Sequence, residues 1–194
     1  MKKVCVFCSS SPAANKFEKP VIEFCNKFSD MGYELVWGGS NVGLMKLVAE
    51  TVKSSGAKIH GVSLEKLLTQ LRHDADSIYV AKSLAERVDK MIEFSDAFVI
   101  LPGGSGTLDE LAHVIELKRL GYHNKPIVIF NIEGFYDGII KYFNEVFENE
   151  MQFIWKDNQR VKAPIEFILH VATEAEEVHA KLFESFRPKN NPNI

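Results

Sequence analysis

Seven short apolar runs punctuate this chain, and between them apolar residues fall at helical spacing. The runs are Val4–Cys8, Tyr33–Trp37, Lys58–Val62, Ser77–Val80, Ala97–Leu101, Pro126–Phe130 and Phe167–Val171. Each has strand length, and several are bounded by Gly, Pro or Ser, the residues at which strands end. Residues 17–31 carry Phe17, Val21, Phe24, Cys25 and Phe28 as one helix stripe. Leu44, Leu47, Val48 and Val52 make a second, and Leu84, Val88, Met91 and Ile92 a third. A fourth holds Leu108, Leu111, Ala112 and Ile115, and 136–148 is a fifth helix. Thr173-Glu174-Ala175-Glu176 has the form of a capping box opening the last helix. Residues 63–76 are weakly patterned and read as loop or short helix. Such alternation predicts an α/β fold, a single-domain Rossmann-like doubly wound parallel sheet of about seven strands with helices on both faces.

The 194 residues fit one domain over 1–187, with 188–194 as a frayed tail. A net charge of −3 with no basic stripe argues against nucleic acid or an anionic membrane as partner. It leaves room for a small anion in a local pocket. Three cysteines, Cys5, Cys8 and Cys25, are an odd, low count that suits a reducing compartment. The apolar opening run is too short for a signal-peptide core, and no run approaches the ~20 residues of a membrane span. The expectation is a cytoplasmic protein.

In doubly wound sheets, ligands bind beyond the carboxyl ends of the strands. Three loops stand there with suitable chemistry: Ser9–Pro12, Gly38–Gly43 and Pro102–Thr107. GGSNVG (38–43) has the spacing of a Walker A loop, but Leu44-Met45 replace its Lys and Ser/Thr, which excludes an NTPase of that kind. Neither glycine loop matches G-x-G-x-x-G, which argues against a dinucleotide oxidoreductase. Glycines nevertheless let a backbone approach a phosphate, and a helix starting there adds its positive dipole end. For GGSNVG, anion binding and a plain tight turn stand level. For PGGSGT (102–107), following a fully apolar strand, the residues favour a phosphate, with Ser105 and Thr107 as added hydroxyl donors. Thr107 also reads as a plain N-cap, and Thr107-x-x-Glu110 as a capping box. Glu110 lies off the Leu108/Leu111/Ile115 stripe, so capping and catalysis both remain open for it.

The run Pro102-Gly103-Gly104-Ser105-Gly106-Thr107-Leu108-Asp109-Glu110 resembles the P-G-G-x-G-T-x-x-E mark of the Lonely Guy family, the cytokinin riboside 5′-monophosphate phosphoribohydrolases. VFCSSSP, WGGSNVGLM, SDAFVILPGG and LGYHNKPIVIFNIEGFYD are similar to the family as well, so the resemblance covers most of the chain. It implies cleavage of the N-glycosidic bond of a nucleoside 5′-monophosphate, AMP or a form alkylated at its exocyclic amine. The products are an adenine-type base and ribose 5-phosphate. It implies Arg87 and Glu110 as the catalytic pair; on its own sequence context, Arg87 would be a solvated helix arginine. Gly103, Gly104, Ser105, Gly106 and Thr107, with Gly38, Gly39, Ser10 and Met91, form the implied phosphate- and substrate-binding set. No cofactor and no metal are implied, and the expected assembly is a homodimer.

The family's alternative label, lysine decarboxylase, finds no Schiff-base lysine site here. The chain departs from the family pattern at Val88, where a lysine is common, and at Ser9, Ser40, Lys46 and Ser63-Leu64. These changes spare the fold and bear on substrate and activity. A competing reading is a carrier that holds a nucleotide or the molybdenum cofactor without cleaving it. DNA binding, known for a related fold, is disfavoured by the net charge. His113 and His123 read as surface histidines, and the Phe-rich 143–153 as core or subunit interface.

Overall fold

The computed structural model describes residues 1–11, 17–156, 158–162 and 164–187. Pro12 and the tail 188–194 lie outside the described residues. Strand β1 (Lys2–Phe7) leads to helix α1 (Glu18–Asn26), β2 (Tyr33–Trp37), α2 (Gly43–Ser54), β3 (Ile59–Leu64) and β4 (Ser77–Ala81). Then follow α3 (Leu84–Glu93), β5 (Ala97–Ile100), α4 (Ser105–Arg119), β6 (Ile127–Phe130) and α5 (Asp137–Glu148). A small hairpin of β7 (Ile154–Lys156) and β8 (Gln159–Val161) precedes β9 (His170–Ala172) and α6 (Ala175–Phe186).

Seven strands form one sheet in the order β4-β3-β2-β1-β5-β6-β9, and every neighbouring pair is parallel. The chain winds outward from β1 to β4, then returns to β1's other side with β5. That reversal puts the switch point, and its crevice, at the carboxyl ends of β1 and β5. The doubly wound α/β fold is therefore the one the alternation predicts.

The period of two along each strand divides the core. Val4 and Val6 face one layer with Phe24, Val48, Val52, Val178 and Leu182 of α1, α2 and α6. Cys5 and Phe7 face the other with Val88, Met91, Leu111, Val114, Phe143 and Phe147 of α3, α4 and α5. Phe7 and Phe98 stack at 5.9 Å between ring centroids on that second face. Truncating a buried ring there, as in Phe98→Ala, costs about 3–5 kcal/mol, because the rigid sheet cannot close the cavity.

The weakly patterned stretch after β3 holds a short 3-10 turn, Glu65–Gln70, in keeping with a loop or short helix. Several boundaries differ from the sequence reading. Helix α1 stops at Asn26, and Phe28 is buried from the turns that follow. Phe167 lies in another such turn after Pro164 and is exposed, so the last strand begins at His170. The capping box is one residue on: Glu174 is the N-cap, paired with Glu177 rather than Thr173 with Glu176. The β7–β8 hairpin was not anticipated, since three-residue strands carry almost no periodic signal. Among the described residues, no helix is long and apolar enough to cross a membrane.

Candidate active site

At the switch point, backbone bonds tie the loops into one rim. Ser9 N–H donates to Pro102 O at 3.1 Å, and Met45 N–H at the start of α2 donates to Ser9 O at 3.2 Å. Residues 39–41 pair with 70–72: Asn41 N–H donates to Gln70 O at 2.7 Å, and Arg72 N–H to Gly39 O at 2.9 Å. Together these loops enclose a cavity of about 480 Å³. Ser10, Gly38, Arg87, Glu110 and the Gly104–Thr107 turn all line it.

Helix α4 begins without a side-chain cap. Gly104 is its N-cap, and the amides of Ser105, Gly106 and Thr107 have no partner in the first turn. The positive end of the helix dipole thus opens on the cavity, which favours an anion. Thr107 is the third helical residue, neither N-cap nor half of a capping box with Glu110. Its side chain is buried against Gly103, where a Cβ would collide with it. The same turn rotates Glu110 inward with Thr107, Leu111, Val114 and Ile115, and leaves Leu108 41% exposed. The stripe drawn through Leu108 and Ala112 was therefore wrong by part of a turn. The carboxylate belongs to the buried face because its partner lies there.

That partner is Arg87 on α3. Its Nη1 donates to Glu110 Oε1 at 2.8 Å, and its Nε donates to the β3 carbonyl of Val62 at 2.9 Å. Arg87 is 7% exposed and Glu110 4%, so the arginine is not the solvated side chain its context suggested. Its Nη2 rests over Gly38, where any Cβ would occupy the same space. Burial raises the pKa of Glu110 above the ordinary glutamate value, while the Arg87 charge and hydrogen bond pull it back down. A buried ion pair held at both ends keeps one carboxylate and one cation in fixed positions beside the anion-seeking amides.

Other implied site residues take different places. Gly39 has φ +73° and packs against Ser63, and Gly103 makes room for Thr107, so both shape the rim from behind. Met91 is buried in the core beside α4's inner face and does not reach the cavity wall. Val88 is likewise core, 3% exposed, so the lysine common at this position has been replaced by packing. His123 is half-buried. Lys125 N–H donates to its Nδ1 at 3.2 Å, which makes Nε2 the donor to Val114 O at 3.1 Å. Burial, with Lys118 and Lys125 nearby, lowers its pKa to about 4. His113 is partly exposed, 3.5 Å from Asp89. Of the Phe-rich stretch, Phe143 and Phe147 are core whereas Met151 is exposed. Of the cavity's outer wall, Leu67 and Gln70 were missed because their segment has no usable period, whereas Leu84, placed on the apolar stripe of α3, is 61% exposed and lines the cavity instead. No lysine lines the cavity among the described residues, so an amine for a Schiff base is not offered there.

A family model described as possible lysine decarboxylase matches residues 45–182. The chain is 36% identical over 152 residues to the cytokinin riboside 5′-monophosphate phosphoribohydrolase LOG1 of Arabidopsis thaliana, covering 76% of this chain and 70% of that one. The chain belongs to the Lonely Guy family. Its similarity to the Lonely Guy enzyme LOG of Oryza sativa subsp. japonica is 32% over 163 residues, 82% of this chain and 66% of the relative. The solved molybdenum cofactor binding protein of Rippkaea orientalis superimposes with a TM-score of 0.68 at 18% identity, over 94% of this chain and 96% of the other. That likeness shows the fold alone. As a Lonely Guy protein with an N-glycosidase's relatives, this chain is an enzyme.

Proposed function

We propose that the protein hydrolyses the N-glycosidic bond of a purine nucleoside 5′-monophosphate, either AMP or a cytokinin riboside 5′-monophosphate, releasing the base and ribose 5-phosphate. The observation that carries this is the buried Arg87–Glu110 pair, 2.8 Å apart, opening on the same cavity as the uncapped start of α4. The α4 amides bind the 5′-phosphate and so position the anomeric carbon. As the bond breaks, positive charge grows on the ribose and negative charge on the base. Glu110 stabilises the oxocarbenium-like sugar and orients the attacking water. Arg87 supplies fixed positive charge to the leaving base or the phosphate. Both named relatives are phosphoribohydrolases of cytokinin riboside 5′-monophosphates, which favours a purine with an alkylated amine.

The reading extends to a homodimer in the cytoplasm. Leu108, Ala112 and Tyr142 border an apolar groove between α4 and α5, on the outer side of the helix that carries Glu110. All three cysteines are free, buried thiols, which suits a reducing compartment.

Base release from AMP and from isopentenyl-AMP, followed by chromatography, tests the activity in wild type and Glu110→Gln. Release that vanishes in the variant supports the hydrolase, and the ratio of rates names the preferred base. A wild-type protein that binds both nucleotides and releases neither base sinks the enzyme reading in favour of a carrier.

A further inference from the structure

Tyr136 has no part in the scheme above, yet it is buried directly behind the phosphate turn. It precedes α5 and is 4% exposed. Its hydroxyl donates to Leu101 O at 2.8 Å. The Gly103 backbone N–H also lies near enough to the phenol oxygen to pull its pKa down, against the stronger effect of burial. Leu101 and Gly103 flank Pro102, which has no N–H of its own. The Pro102 carbonyl accepts from Ser9 N–H at 3.1 Å, and Leu101 N–H donates to Phe7 O at 2.9 Å.

The hydroxyl therefore anchors the Leu101 carbonyl, at the entry of the turn that aims the α4 amides. The phenol is itself firmly placed. Tyr136 N–H donates to Asn131 Oδ1 at 2.7 Å, and Asn131 Nδ2 donates to Asp137 Oδ1 at 2.7 Å. Asn131 N–H in turn donates to Ala172 O at 2.8 Å, which ties the cluster to β9. Burial raises the phenol's pKa, so it stays a donor at any working pH. A buried hydroxyl would cost stability at this position unless its hydrogen-bonding roles were used. Phenylalanine would fill the same space but leave the buried Leu101 carbonyl without this donor, so the hydroxyl has a task that packing does not supply.

We propose that Tyr136 is a positioning residue whose hydroxyl fixes the direction of the Gly104–Thr107 amides and thereby the affinity for the 5′-phosphate. The inference rests on the reading above for the identity of the anion. Its readout is binding rather than turnover, which separates the two.

Calorimetric titration of AMP and of adenosine into Glu110→Gln, with and without Tyr136→Phe, tests it. The expected result is an AMP affinity lower by about tenfold, the scale of one hydrogen bond in a buried network. Adenosine affinity should stay within error, and the unfolding midpoint should fall by the modest amount that one lost buried hydrogen bond brings. Equal losses for AMP and adenosine, or no loss for either, would overturn the proposal. AMP that binds in this Tyr136-dependent way to a wild-type protein that never cleaves it would overturn the hydrolase and leave this inference standing. Absence of AMP binding to Glu110→Gln overturns both. Should Tyr136→Phe fail to fold, Asn131→Ala, which frees the Tyr136 backbone, should show the same selective loss at smaller size.

Discussion

The two glycine loops look alike in sequence and differ in what their glycines are for. In 38–43, each glycine is fitted to protein. Gly38 lies beneath Arg87 Nη2, Gly39 stands against Ser63 at φ +73°, and Gly43, at φ +58°, has the Ser10–Ser11 backbone where a Cβ would go. In 103–106, Gly103 is fitted to Thr107, but Gly104 and Gly106 have nothing within 4 Å of where a Cβ would be. Both lie on the cavity wall. A glycine whose missing side chain is already replaced by protein serves the fold. One that faces open space at a helix N-terminus leaves room for a ligand.

Substitutions can break that contrast in graded ways. Loss of the carboxylate in Glu110→Gln should have the largest effect, a fall in kcat on the order of 10³ with little change in nucleotide affinity. Gly38→Ala comes next. Its methyl meets chiefly the guanidinium end of Arg87 rather than backbone, so stability should fall less than in Gly43→Ala while base release falls by roughly 10²-fold, the scale of a misplaced catalytic group. Gly43→Ala should act the other way round, because strain at positive φ and a clash with backbone remove about 1–3 kcal/mol of stability before any ligand is involved. Denaturant titration separates these two. Gly106→Ala should raise stability by up to ~1 kcal/mol as a helix substitution, yet raise the nucleotide KM several-fold. If Gly106→Ala leaves KM untouched, the open glycines are not where the phosphate sits.

Titration sharpens the comparison further. Glu110 must be ionised to act, and its folded pKa is raised. The acid limb of kcat/KM against pH should therefore lie above the ordinary glutamate range. His123 gives the smallest effect. Its pKa falls from 6.5 to about 4 in the folded chain, so the unfolded chain takes up the proton first as pH drops. Stability should thus decline over that window, and His123→Gln should flatten the decline.

Much of this architecture was readable because it is periodic. Tyr33–Trp37 was recovered residue for residue, and helix α3 nearly so. What escaped reading depended on partners distant in sequence. The facing of α4 is set by Arg87, 23 residues earlier, and a helical wheel drawn from apolar residues alone put Glu110 on its wrong side. His123 looked like a surface residue because its two backbone partners leave no pattern in composition. Val88 was a missing charge in sequence and is a core residue in space, so the lysine it replaces leaves no hole in the cavity. Introducing it, as Val88→Lys, should destabilise the chain by several kcal/mol through an unpaired buried charge.

The main-chain pairing of 39–41 with 70–72 has one more consequence. Because the outer wall hangs mainly on backbone groups, with one side-chain bond from Ser40 Oγ to Gln70 Oε1 at 3.3 Å, the side chain of Leu67 is not what fastens it. It can be exchanged as a tile on a fixed frame, while the turn at the far end of the cavity keeps its grip. A mutational library confined to that position would retune which base is admitted without rebuilding the machine that cuts it free.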